Sequence, residues 1–126
     1  MPCNENEELV RELWKAFNEL RWEDSKKLLH KTFVNEYPQS RERFRGAENF
    51  VGMNKAYPGR FKIEVLRTRP CGDGVIAETF IAPEGGTPVF AISFYEFRDG
   101  KISKAVEYWG DVYAAPDWRA RWAERF

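Results

Sequence analysis

Residues 87–111, TPVFAISFYEFRDGKISKAVEYWGD, decide the fold. Two long β-prone runs flank Arg98-Asp99-Gly100-Lys101, and Asp-Gly between such runs is a strong hairpin signal. The second run places Glu107, Trp109 and Asp111 at period two, so the three side chains share one face of a strand. A carboxylate, an indole and a second carboxylate on one face fit the wall of a polar pocket.

Outward from the hairpin the pattern stays β-like. Phe61 to Arg69 alternates with Phe61, Ile63 and Val65 on one face, residues 70–74 form a turn, and Val75 to Ala82 is the next strand. Before residue 58 the period is helical. Residues 5–22 carry Val10, Leu13, Trp14 and Phe17 on one face, with Asn4 and Glu7 as a cap. Trp22 to His30 reads as a short second helix, Phe33 to Tyr37 as a strand, and Gly46 to Tyr57 as a third helix closed by Pro58-Gly59. A tail helix is expected over residues 114–126, with Trp118, Trp122 and Phe126 at four-residue spacing. The expected whole is α+β: N-terminal helices against an antiparallel sheet, in one domain spanning 1–126.

Composition narrows the function classes. The chain has 126 residues, 43% of them hydrophobic, and 20 basic residues balance 20 acidic ones. Zero net charge argues against nucleic acid or an anionic membrane as partner. Cys3 and Cys71 have no zinc spacing and read as free thiols. With one histidine, His30, multi-histidine metal sites and histidine-dependent triads are off the list, and no metal or cofactor is expected. The first residues are acidic, without the apolar region of a signal peptide, so a cytoplasmic location is expected.

Two stretches carry a family resemblance. Residues 36–46, EYPQSRERFRG, and 98–111, RDGKISKAVEYWGD, resemble the strand-to-helix segment and the closing strand of SnoaL-like polyketide cyclase relatives in the nuclear transport factor 2-like superfamily. The resemblance implies a cone, with helices over the concave face of a curved sheet and a ligand entering at the open end. It implies that Glu107, Trp109 and Ser93 face inward while Phe90, Ile92 and Phe94 face outward, where a second copy covers them in a homodimer.

Specific chemistries of that superfamily transfer unevenly. The base position of its ketosteroid isomerases falls on Tyr37, but their oxyanion pair falls near Leu13 and on Ser93, which removes that chemistry as a direct transfer. For its epoxide hydrolases one acid position falls on Glu107, while the arginine and its partner fall near Thr79 and Ile81. Glu78 would reach the cavity only with a one-residue register shift. The SnoaL-like cyclases rely on an acid near the end of the closing strand, which makes Glu107 and Asp111 the catalytic candidates. Trp14, Phe17, Tyr37, Tyr57, Glu78, Ser93 and Trp109 are the pocket candidates.

Structural roles compete with each of these. Glu107 either faces a pocket or pairs with Arg43, Arg45 or another cation, and Asp111 either acts on a ligand or caps the strand end. Glu42, Arg43 and Arg45 either hold an anionic ligand or form a solvated loop. The Trp118/Trp122/Phe126 stripe docks on the sheet, covers the cone mouth or grips a partner. His30 reads as an exposed helix-end residue. Two functions therefore stay open: an acid–base enzyme on a small apolar carbonyl compound, and a non-catalytic ligand-binding or interaction module.

Overall fold

The computed structural model describes residues 3–126. Helix α1, Glu5–Asn18, starts where the sequence places its cap: Asn4 Oδ1 accepts from Glu7 N at 2.8 Å and Glu7 Oε1 accepts from Asn4 N at 3.1 Å. It stops four residues earlier than expected. Leu20 takes φ 60° there, with Leu20 N donating to Phe17 O and Arg21 N to Ala16 O. This is the usual left-handed helix stop, built without the glycine that would announce it. Helix α2 is brief, Trp22–Lys26, and α3 runs Gly46–Lys55.

Six strands follow the order β2-β1-β6-β5-β4-β3. They are β1 Leu29–Tyr37, β2 Glu42–Arg45, β3 Phe61–Cys71, β4 Gly74–Pro83, β5 Val89–Arg98 and β6 Lys101–Asp111. The last four form the expected antiparallel succession, but β1 lies parallel to β6, so the sheet is mixed. Asp99 and Gly100 both take positive φ, 51° and 73°, as the tight hairpin turn requires. Gly74 is a close approach: a Cβ there would meet the Tyr95 carbonyl oxygen at 2.7 Å.

The helices cover one face of the sheet. Phe17 packs against Trp22 and Phe50, and Phe50 against Phe33, with ring centroids 5.1–5.7 Å apart. Val10, Leu13, Ala77, Ala91 and Ala105 complete the buried layer.

Three further expectations change. Residues 42–45 form β2 rather than a loop: Arg43 Nε donates to Glu36 Oε2 at 2.7 Å, so its charge is spent across the hairpin. His30 lies in β1 and is buried, with Nδ1 2.8 Å from Thr32 Oγ1 and Nε2 3.3 Å from Asp99 Oδ2. It thereby ties β1 to the hairpin turn. The tail forms only a single turn at Asp117–Arg119, and Trp118 and Trp122 are each 72% exposed. A short helix gains its stability from packing, and this stripe stays largely exposed, its two indoles covered only by the neighbouring Arg119 and Arg121.

Candidate functional site

Strand register sets the site in three rows across the concave face. Nearest the open end stand Ile81 on β4 and Val89 on β5. The next row is Thr79, Ala91 and Trp109. The deepest is Ala77, Ser93 and Glu107. Period two explains why these residues face inward while Phe80, Phe90, Ile92, Phe94 and Tyr108 face out.

Glu107 is the largest buried charged group of the site. It is 1% exposed, and both carboxylate oxygens accept hydrogen bonds: Oε1 from Asn35 Nδ2 at 2.8 Å and Oε2 from Ser93 Oγ at 2.8 Å. No cation pairs with it among the described residues. Burial pushes the carboxyl above the ordinary carboxylate range, and the two hydrogen bonds pull it part of the way back. Tyr95 is buried nearby, and its phenol is pushed up by desolvation and then by the Glu107 charge. The Tyr37 phenol is raised by the same two causes in the same order.

Trp109 stands one same-face step from Glu107 toward the mouth, about 7 Å along the strand. It is held from two sides. The Tyr37 ring meets it edge-on at 5.7 Å. Gln39 Nε2 donates to the Trp109 carbonyl at 2.9 Å, and the Trp109 N–H donates back to Gln39 Oε1. That side-chain clamp continues the β1–β6 ladder past the end of β1.

A cavity of about 180 Å³ opens at the mouth, lined by Trp14, Tyr57, Phe61, Ile81, Val89 and Trp109, with Asn54 and Thr87 at its polar edge. Four side-chain atoms of the concave face are buried with no hydrogen-bond partner among the described residues: Trp14 Nε1, Asn35 Oδ1, Thr79 Oγ1 and Trp109 Nε1. Each of these atoms is sealed from solvent, so none of the four is presented to the cavity itself.

The sequence candidates divide accordingly. Ser93 contacts Glu107, Tyr37 packs on Trp109, and Trp14, Tyr57 and Trp109 line the cavity. Phe17 is core, enclosed by Trp14, Trp22 and Phe50. Glu78 is corrected to the convex face, where Arg67 Nε lies 2.6 Å from its Oε1; the bulge opposite it falls in β3, between Val65 and Arg67, while β4 keeps its register with β5, so period two turns Glu78 away. Asp111 ends β6 exposed to solvent. Asn35, Gln39 and Thr79 were missed. Asn35 had a readable signal, since it falls in phase with Phe33 and Tyr37 and is the one polar residue among those inward positions.

Among the described residues no group of three or more His, Cys, Asp or Glu could hold a metal, and no helix is long and apolar enough to cross a membrane.

The comparisons agree with this fold. The SnoaL-like domain family model matches residues 10–105. A structure from Kribbella flavida DSM 17836, named provisionally as a ketosteroid isomerase, is 26% identical with a TM-score of 0.86, over 97% of this chain and 90% of that one. An NTF-2 like protein of unknown function from Burkholderia xenovorans LB400 is 29% identical with a TM-score of 0.79, over 98% and 99%. An LEH-like epoxide hydrolase from M. tuberculosis shares the fold at 18% identity, with a TM-score of 0.72 over 84% and 83%. No curated protein matches the sequence.

Proposed function

We propose that this chain, which belongs to the SnoaL-like domain family, binds a small, mainly apolar carbonyl compound at its cone mouth and moves a proton on it with Glu107. One observation carries the reading: a wholly buried carboxyl on the concave face is held by two neutral donors, Asn35 and Ser93, and not by a cation. An arginine partner would lock the group as a carboxylate. Neutral donors and burial instead bring its two protonation states closer at working pH, which is what a general acid or base needs. Ser93 and Asn35 fix the carboxyl's orientation, and Tyr37 and Gln39 fix the indole above it.

The Kribbella relative's name suggests an isomerase. The proton shift of such chemistry fits Glu107, and the cavity of about 180 Å³ has room to enclose a compact group. The reaction class is therefore a cofactor-independent isomerisation or cyclisation of a compact carbonyl substrate. The test is hydrogen–deuterium exchange at the methyl group of acetophenone in D₂O. The wild-type chain is expected to accelerate exchange, and Glu107→Gln to lose on the order of 10²-fold or more. Full exchange by Glu107→Gln would sink the catalytic role.

A second reading has its own support. Both Glu107 oxygens are already engaged, and Trp109, not Glu107, lines the cavity. A non-catalytic binding module would take up the ketone without exchanging its protons, so the same experiment separates the two.

The chain is further proposed to act as a homodimer through its convex face. Phe90, Phe94 and Tyr108 are 43%, 44% and 43% exposed there, and they form the pairs Phe80–Phe90 and Phe94–Tyr108 with centroids 5.0 and 6.2 Å apart. A contiguous aromatic patch of this kind is what an interface covers.

A further inference from the structure

The segment after β6 carries four aromatic side chains that its own chain leaves in water: Tyr113, Trp118, Trp122 and Phe126. Arg119 and Arg121 lie over the indoles of Trp118 and Trp122, 5.5 and 4.7 Å from the ring centroids, which still leaves both rings largely open. The segment starts beside the convex patch. Val112 N donates to Pro88 O at 2.9 Å, and Gly110, two residues earlier, pairs with Phe90. Strand register shows how far the patch extends. Phe90 pairs with Phe80, Ile92 with Tyr108, and Phe94 with both Ile76 and Val106, so apolar side chains run unbroken over three strands. Carboxylates stand at its edges: Glu64 beside Phe80, and Glu96 two residues past Phe94 on the same face. None of the ion pairs among the described residues uses Glu64, Glu96, Arg119, Arg121 or Arg125.

Three quantities select the occupant. The first is area. An aromatic side chain buries about 150–250 Å², so the half-exposed rings of Phe90, Phe94 and Tyr108 offer only roughly 250 Å². With the four tail aromatics the total comes to roughly 800 Å², which is the share one partner gives to a standard stable interface. The second is charge, since a tail with three unpaired arginines complements a patch edged by unpaired carboxylates. The third is reach. Residues 113–126 span up to about 45 Å when extended, and the sheet from β6 to β3 is about 15 Å across.

The geometry points to an exchange of tails: the segment 113–126 of each copy lies across the convex patch of the other. The tail's rings cover the partner's aromatic patch, and its arginines meet the carboxylates at the edge. A two-fold axis makes the contact twice, because each copy carries both the tail and the patch. The inference rests on the convex-face homodimer proposed above and adds the element that completes its area.

Analytical ultracentrifugation of the full chain tests it. Trp118→Ser, Trp122→Ser and Phe126→Ser together remove only exposed rings, so circular dichroism should be unchanged while the dimer weakens on the order of 10²-fold or more. A charge exchange then asks which copy the tail touches. A chain with Arg119→Glu and Arg121→Glu, and a second chain with Glu64→Lys and Glu96→Lys, should each self-associate roughly 3–10-fold more weakly than wild type. Mixed, they should recover wild-type affinity, because each tail then meets a patch of opposite charge. A mixture no tighter than the separate variants overturns the exchange between copies. A triple tail variant that dimerises like wild type overturns the inference, and if Phe94→Lys still dissociates the chain, the convex-face dimer stands without the tail. A wild type that stays monomeric to its solubility limit overturns both. A monomer whose tail rings insert into phosphatidylglycerol vesicles does the same and assigns the stripe to a lipid surface.

Discussion

Asn35→Ala tests the electrostatics of the site, because Asn35 donates to a fully buried carboxylate. A hydrogen bond to a charged group contributes about 1.5–3 kcal/mol, against about 0.5–1.5 for a neutral one. Asn35 Oδ1 is itself buried without a partner, so the substitution also relieves an unsatisfied acceptor, which returns about 1 kcal/mol. The net cost is therefore about 0.5–2 kcal/mol when Glu107 is ionised and near zero when it is protonated.

The direction with pH follows from linkage. Glu107 has a folded pKa raised above its ordinary value of 4.5, so the folded chain holds the proton more tightly than the unfolded one. The stability this provides is fully present below the unfolded pKa and is lost as pH rises through the folded one. Asn35 lowers the folded pKa toward the unfolded one. Removing it raises the folded pKa again, so the penalty of Asn35→Ala grows with rising pH and then levels off. Urea unfolding of wild type and variant at several pH values between 4 and 8 measures it, and other titrating groups cancel in the difference. Once the pH is high enough to ionise Glu107, the midpoint of thermal unfolding should fall by roughly 2–10 °C, for about 3–5 °C per kcal/mol in a domain of this size. In a Glu107→Gln background the pH dependence of the Asn35→Ala cost should vanish. A cost that is flat with pH, or largest in acid, would refute the reasoning.

Four further outcomes are expected. Leu20→Gly should raise stability by about 1 kcal/mol, because it relieves a left-handed residue that is half exposed and has little packing to lose; a lower denaturation midpoint would contradict this account of the helix stop. Gly74→Ala should cost about 1–3 kcal/mol, since its Cβ meets backbone that cannot swing aside, and an unchanged urea midpoint would count against the close approach. Gln39→Ala should cost about 1–3 kcal/mol by freeing both backbone groups of Trp109, with a visible change in tryptophan fluorescence; a spectrum and stability like wild type would remove Gln39 as a positioning residue. Phe94→Lys should shift the chain toward monomer in light scattering with unchanged circular dichroism, because a charge on the convex patch is costly to desolvate. A dimer that persists at low micromolar concentration would place the interface elsewhere.

Much of the fold was legible because its signals are local. The Asn4–Glu7 capping box, the Asp99-Gly100 turn and the alternation through residues 61–111 each depend on neighbours a few positions away. Local rules erred where context replaced the usual residue. Leu20 ends α1 in a conformation normally given to glycine, and β2 has only four residues, too few to show a period. The tail stripe has helical spacing, but its rings meet only the neighbouring Arg119 and Arg121 and stay mostly exposed. His30 looked solitary because its partner, Asp99, is 69 positions away.

The sequence by itself determined that Glu107 and Trp109 share a face, since side-chain direction along a strand alternates with fixed period. It also determined that Ser93 lies opposite in phase to Phe90, Ile92 and Phe94 only up to the choice of which face is inside. The tertiary structure decided that choice, because burial depends on which surface the helices cover. It also brought Asn35, 72 positions from Glu107, within 2.8 Å of it, and set Trp14 and Trp109 around one cavity. A hydrogen bond between distant residues leaves no period in the sequence. Neither does the absence of a cation at a buried carboxyl, and that absence is the feature from which the proposed chemistry follows.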